Sequence, residues 1–141
     1  MTQRTSNKSN GNRFEQELAE RLSSYGVWVH VLQQNKAGQP ADLIVCKGLY
    51  ATLIDCKVIS NDRGFPLRRV EENQRYAMHR FTETTGRMCW FAMKLPDESV
   101  HFLSSMAVFT LFYGSEKSIS EADIRRYSIP LQKWIDNFKT C

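Results

Sequence analysis

No apolar run in this chain approaches the ~20 residues needed to span a bilayer. The first thirteen residues, MTQRTSNKSNGNR, lack the apolar core of a signal peptide, so a cytosolic setting is expected. The four cysteines, Cys46, Cys56, Cys89 and Cys141, form no CxxC pair, and no Cys/His cluster has zinc spacing. Three of them lie in apolar runs and read as free buried thiols in a reducing compartment. There is no internal repeat and no low-complexity tract. An apolar share of 42% and a charged share of 24% exclude collagen-like, coiled-coil and wholly disordered chains. What remains is one ordinary domain of 141 residues, long enough to fold without disulfide staples.

Positive charge is in mild excess. Nineteen Lys and Arg against fifteen Asp and Glu leave a net +4. That balance suits an anionic partner, nucleic acid being the commonest. Arg4, Lys8 and Arg13 precede the first acid, so residues 1–10 read as a flexible basic arm before a single domain over 11–141. Phe14, Leu18 and Leu22 recur at helical spacing and predict a helix from about Asn12 to Ser24, ended by Gly26. Strands are expected over Val27–Leu32, Ala41–Cys46 and Tyr50–Val58. A helix should run from about Arg69 to Thr84, followed by strands over Met88–Lys94 and Val100–Leu103. Helices are also expected over Ser104–Phe112, after Ser120 and around Trp134–Phe138. The order α-β-β-β-α-β-β implies an α/β fold, a mixed central sheet flanked by helices.

Two carboxylates interrupt this apolar pattern. Ala41–Cys46 and Tyr50–Val58 are apolar on both faces, as in strands covered on both sides. Lys47-Gly48-Leu49-Tyr50 between them suits a two-residue type II′ turn with Gly48 first. Paired residues then sum to 97, which sets Asp42 opposite Asp55. Like charges about 5 Å apart destabilise a sheet, and desolvation adds to the cost. A cation between them, or a proton on one, resolves the conflict. Lys57 emerges on the face of Asp55, about 7 Å further along the strand. Glu15 shares a helix face with Leu18, Ala19 and Leu22, and Gln74 falls in the stripe of Val70, Ala77, Met78 and Phe81. The plainer readings are an ion-paired surface strand, a glutamate reaching to water and a glutamine capping backbone.

Together these residues resemble a known family. Phe14-Glu15, Pro40-Ala41-Asp42, Asp55-Cys56-Lys57 and Gln74 on the next helix are similar to the PD-(D/E)xK nuclease superfamily. The thirteen-residue step from Asp42 to Asp55 resembles that of Holliday-junction resolvases. Phe65-Pro66-Leu67 with Glu72-Asn73-Gln74 resembles the RecU type of bacteria and their phages. The hairpin leaves no room for the RecU stalk, so the chain is also similar to the compact archaeal or phage enzymes. The resemblance implies a restriction-endonuclease-like core and a Mg²⁺-dependent endodeoxyribonuclease, with Mn²⁺ as substitute. The substrate would be the four-way DNA junction, cut in pairs by a cytoplasmic homodimer in a bacterial or phage-infected cell.

The same resemblance implies the site. Asp42, Asp55, Glu15 and the backbone carbonyl of Cys56 would hold metal, Lys57 would orient the attacking water, and Gln74 would organise the ligands. Arg4, Lys8, Arg13, Lys36, Arg63, Arg68, Arg69 and Arg75, with Arg80 beyond, would grip phosphates. Val27, Trp28, Val29, Leu111, Phe112 and Tyr113 are dimer-interface candidates, though each also suits a core. Competing readings are a restriction or repair nicking enzyme with the same core, a non-catalytic DNA-binding module, and a structural Mg²⁺ or Ca²⁺ site.

Overall fold

The structure is a computed structural model that describes residues 3–33, 38–60, 64–114 and 116–139, with backbone only for 3–11 and 139. Lys36, Arg63 and Cys141 therefore lie outside the described residues, as do the side chains of Arg4 and Lys8. Helix α1 spans Gln3–Ser24. It starts nine residues before the expected Asn12, so the backbone of the basic segment is helical from Gln3 onward. Strands β1 (Trp28–Val31), β2 (Leu43–Lys47) and β3 (Tyr50–Val58) follow. Next come β4 (Phe65–Pro66), a 3-10 turn (Leu67–Arg69), α2 (Glu72–Thr85), β5 (Trp90–Lys94) and β6 (Val100–Ser104). Helix α3 (Ser105–Tyr113), β7 (Ser118–Ile119), α4 (Glu121–Tyr127), β8 (Ile129–Pro130) and α5 (Leu131–Lys139) complete the chain.

The main sheet has the order β1-β2-β3-β5-β6-β8. Only the β3–β5 pair is parallel, and α2 supplies the crossover between them. The fold is thus the expected mixed sheet. Its hairpin keeps the expected register, from Lys47↔Tyr50 to Leu43↔Ile54. Gly48 has φ +59 while Leu49 stays out of the left-handed region, the signature of type II′ rather than I′.

Helices cover both faces. Phe14, Leu18 and Leu22 of α1 join Trp134, Ile135 and Phe138 of α5 over Leu43, Val45, Ile54 and Cys56. Met78 of α2, Phe109 of α3 and Ile124 of α4 pack with Leu53, Phe91 and Met93 on the opposite side. Strand alternation therefore sends Leu53, Asp55 and Lys57 toward α2 and Ile54 and Cys56 toward α1. Helix ends match their sequence signals. Gly86 closes α2 in the left-handed region, its N–H returning to Thr82. Ser120 caps α4 by accepting from the Asp123 N–H.

The short strands β4, β7 and β8 were not anticipated. β4 pairs with β7 as a separate ribbon. The chain before it passes so close to β7 that a Cβ on Gly64 would collide with the Ile119 carbonyl oxygen. Leu67 then donates its N–H to the Lys117 carbonyl at 2.9 Å, which braces the 3-10 turn. Cys56 and Cys89 are buried free thiols, whereas Cys46 is only half-buried, its strand lying next to the edge strand β1.

Candidate active site

Asp42 stands one residue before β2, just past the last ladder pair. Its N–H donates to Ile54 at 3.1 Å and its carbonyl accepts from Leu32, so the backbone there is fixed from both sides. Its Oδ2 accepts the Cys56 N–H at 2.7 Å. Asp55, in the middle of β3, is fully buried. The two carboxyl groups are near enough to share a hydrogen bond. Asp55 faces α2, whereas Asp42, beyond the ladder, reaches Asp55 and also Glu15 of α1.

Electrostatics carry the mark of that crowding. Burial, with the Asp55 charge second, pushes the Asp42 carboxyl up to about 9, against the opposing Cys56 hydrogen bond. Burial also raises Glu15, helped by Asp55 and opposed by its hydrogen bond to Asp42 and the Lys57 charge. The Cys56 thiol is raised by burial and by all three carboxyl groups, and stays uncharged.

Lys57 and Gln74 complete the cluster. Lys57 Nζ lies 2.9 Å from Asp55 Oδ2 and also donates to the Arg69 carbonyl at 3.4 Å. Gln74, in the first turns of α2, is 7% exposed and donates from Nε2 to Asp55 Oδ1 at 2.7 Å. Asn73 beside it ties α2 to the Gln39 carbonyl, so the loop before Asp42 is anchored on the same helix. Asn73 was quoted in the sequence pattern without a role, because nothing local identifies its partner 34 residues away.

The structure thus brings Glu15, Asp42, Asp55, Lys57 and Gln74 together. The donor set suits a hard divalent cation through the two carboxyl groups. Asp55 Oδ2 supports the fit: it is buried with no aligned hydrogen-bond donor despite the nearby ammonium. Among the described residues no three Asp, Glu, His or Cys side chains converge as metal ligands. Glu15 enters instead through its hydrogen bond to Asp42.

The basic residues divide. Arg69 is exposed as a residue, but its guanidinium lies over the Phe65 ring, 5.4 Å from the centroid, and desolvation there lowers it while the Asp55 charge opposes the shift. It therefore flanks the carboxylates. Arg13, Arg68 and Arg80 are exposed. Arg75 is engaged within the protein: its guanidinium stacks on Phe112 at 4.2 Å and donates to the Tyr113 hydroxyl at 3.0 Å. That contact was invisible in the sequence, since α3 is remote along the chain. Of the interface candidates, Val27 is core, Val29, Leu111 and Phe112 are half-buried, and Trp28 and Tyr113 are exposed.

A mixed sheet with two facing carboxylates and a lysine on its central hairpin defines the class, a PD-(D/E)xK nuclease. A family model for the archaeal Holliday junction resolvase (Hjc) matches residues 6–140, and the chain belongs to that family. It is accordingly an endonuclease, a hydrolase acting on branched DNA, and metal-dependent as the family is. The solved structure of Hjc from Archaeoglobus fulgidus, a Holliday junction resolvase from an archaeal hyperthermophile, has the same fold. The likeness covers 89% of this chain and 99% of that one, with a TM-score of 0.67 and 18% identity. No curated protein sequence matches the chain.

Proposed function

We propose that the chain is a Mg²⁺-dependent enzyme that resolves four-way DNA junctions by paired phosphodiester hydrolysis, with Mn²⁺ able to replace Mg²⁺. The observation that carries this reading is the pair of buried carboxyl groups, Asp42 and Asp55, in contact with each other and with Lys57 against Asp55. Asp42 and Asp55, with the Cys56 carbonyl, would hold the cation, with Glu15 hydrogen-bonded to Asp42. A divalent cation held there would supply Lewis acidity toward the phosphate and the attacking water. Lys57 Nζ orients the attacking water and stabilises charge on the pentavalent phosphorus. Gln74 keeps Asp55 in place through its Nε2 contact. Arg68 and Arg69 grip the adjoining phosphates, with Arg13 and the basic segment further out.

A four-way junction is two-fold symmetric, and two matched cuts need two sites. A C2 homodimer supplies them. The exposed aromatic side chains of Trp28 and Tyr113 are the candidates for its interface. The archaeal family match and the short hairpin favour the compact, stalk-less type over the RecU type.

The test compares cleavage of a four-way junction with that of a linear duplex of the same sequence, in Mg²⁺, Mn²⁺ and EDTA. Two symmetric nicks in the junction, with the metals only, are the expected outcome. Equal cutting of duplex would assign the chain to another nuclease class.

A further inference from the structure

Three buried side-chain polar atoms among the described residues have no hydrogen-bond partner in the protein: Asp55 Oδ2, Gln74 Oε1 and Arg75 Nε. Two of the three belong to one contact pair. Buried polar atoms are nearly always satisfied, so each exception requires a reason. Asp55 Oδ2 has one in the cation that its site suits. Gln74 Oε1 has none in the role given so far, which uses only the other end of the amide.

The orientation of that amide is fixed by chemistry. Asp55 Oδ1 accepts, so the atom facing it at 2.7 Å must be the donor Nε2. Turning the amide over would set two acceptors against each other. Oε1 is therefore presented as an acceptor, buried, within one amide group of the Asp55 carboxylate. Helix α2 cannot easily withdraw it: Met78 is fully buried one turn on, and Asn73 holds the helix start to the Gln39 carbonyl. The ligand that suits such an acceptor is small and carries a proton to donate, as water does.

Resting on the nuclease reading above, we infer that Gln74 Oε1 accepts a hydrogen bond from the attacking water and so aims its lone pair at phosphorus. In the hydrolysis the water oxygen forms the new P–O bond, and the bond from phosphorus to the leaving sugar oxygen breaks. One water proton ends on that leaving oxygen and the other goes with the product phosphate. An amide oxygen takes neither; it orients the water. Lys57 donates toward the reacting oxygens, and Gln74 supplies the acceptor on the other side. Gln74 is on this account a positioning residue with two duties, one toward Asp55 and one toward the nucleophile.

The two duties separate experimentally. Gln74→Met keeps the length of the side chain and removes both polar atoms, and Gln74→Asn keeps the amide but retracts it by one methylene. For each, Mn²⁺ binding to the DNA-free protein is measured by calorimetry, thermal unfolding is recorded, and single-turnover junction cleavage is followed across a Mn²⁺ titration. The expected result is an unfolding temperature near wild type and Mn²⁺ affinity weakened by loss of the Asp55 contact, with cleavage still slower on the order of 10²-fold at saturating Mn²⁺, the usual cost of losing one directed hydrogen bond at a reacting centre. Recovery of the wild-type rate at saturating Mn²⁺ would overturn the inference, because Gln74 would then only hold Asp55. The Asn variant decides the matter if the Met variant is unstable. Wild-type protein that cuts no DNA in any metal would refute the nuclease reading itself, a different outcome from either.

Discussion

Asp42 is the residue on which the site's chemistry turns. In the unfolded chain its carboxyl titrates near 3.8, and in the folded protein it is held up to about 9. The folded state thus keeps a proton that the unfolded state releases. Its contribution to stability is fully present below pH 3.8 and is lost as pH rises toward 9. The urea midpoint of the protein in EDTA should therefore fall between pH 6 and pH 9. Asp42→Asn, a neutral mimic that still accepts the Cys56 N–H, should flatten that slope; an equally steep slope in the variant would assign the effect to other groups. Asp42, Asp55 and Lys57 were legible in the sequence because charge inside a doubly apolar hairpin is costly and must have a cause. The Arg75 contact was not legible, since Tyr113 stands 38 residues away and no local pattern announces it.

At the level of elements, the central hairpin was readable to the residue. Gly48 fixed the turn and the turn fixed the register as far as Leu43↔Ile54; the ladder stops one pair short of Asp42 and Asp55, whose carboxyl groups still come together. The ribbon of β4 and β7 was not readable, because two-residue strands have no periodicity to detect. It matters for the site, since it carries the turn whose Arg69 carbonyl receives Lys57. Gly64 is its key. A side chain there must adopt φ +83 and enter the Ile119 carbonyl. Gly64→Ala should lower stability by about 2 kcal/mol or more, read from the urea midpoint, and slow cleavage along with it. A stable, fully active variant would show that the ribbon can move aside without consequence. The start of α1 was placed late because residues 3–11 have no apolar stripe, and the periodicity signal begins only at Phe14.

At the scale of the whole molecule, layering and charge act together. Helices cover both faces of the sheet, and the carboxyl cluster lies buried on β3, beside α2, which makes the crossover from β3 to β5. Apolar runs made that layering foreseeable; which basic residues contact DNA was not, because a surface charge has no sequence neighbour to betray its role. Removing residues 1–10 deletes Arg4 and Lys8. If both reach phosphates, the slope of log affinity against log salt should fall by up to about two units, equally for junctions of any sequence. An unchanged slope would put the DNA-binding charge nearer the carboxylates, at Arg68 and Arg69. The central claim, that Asp55 with Asp42 forms a metal-dependent cutting centre, has a more direct test. Asp55→Asn is assayed on one four-way junction for cleavage in Mg²⁺ and for binding in EDTA. Binding within a few-fold of wild type with cleavage abolished is the result predicted, and cleavage at the wild-type rate would contradict the assignment.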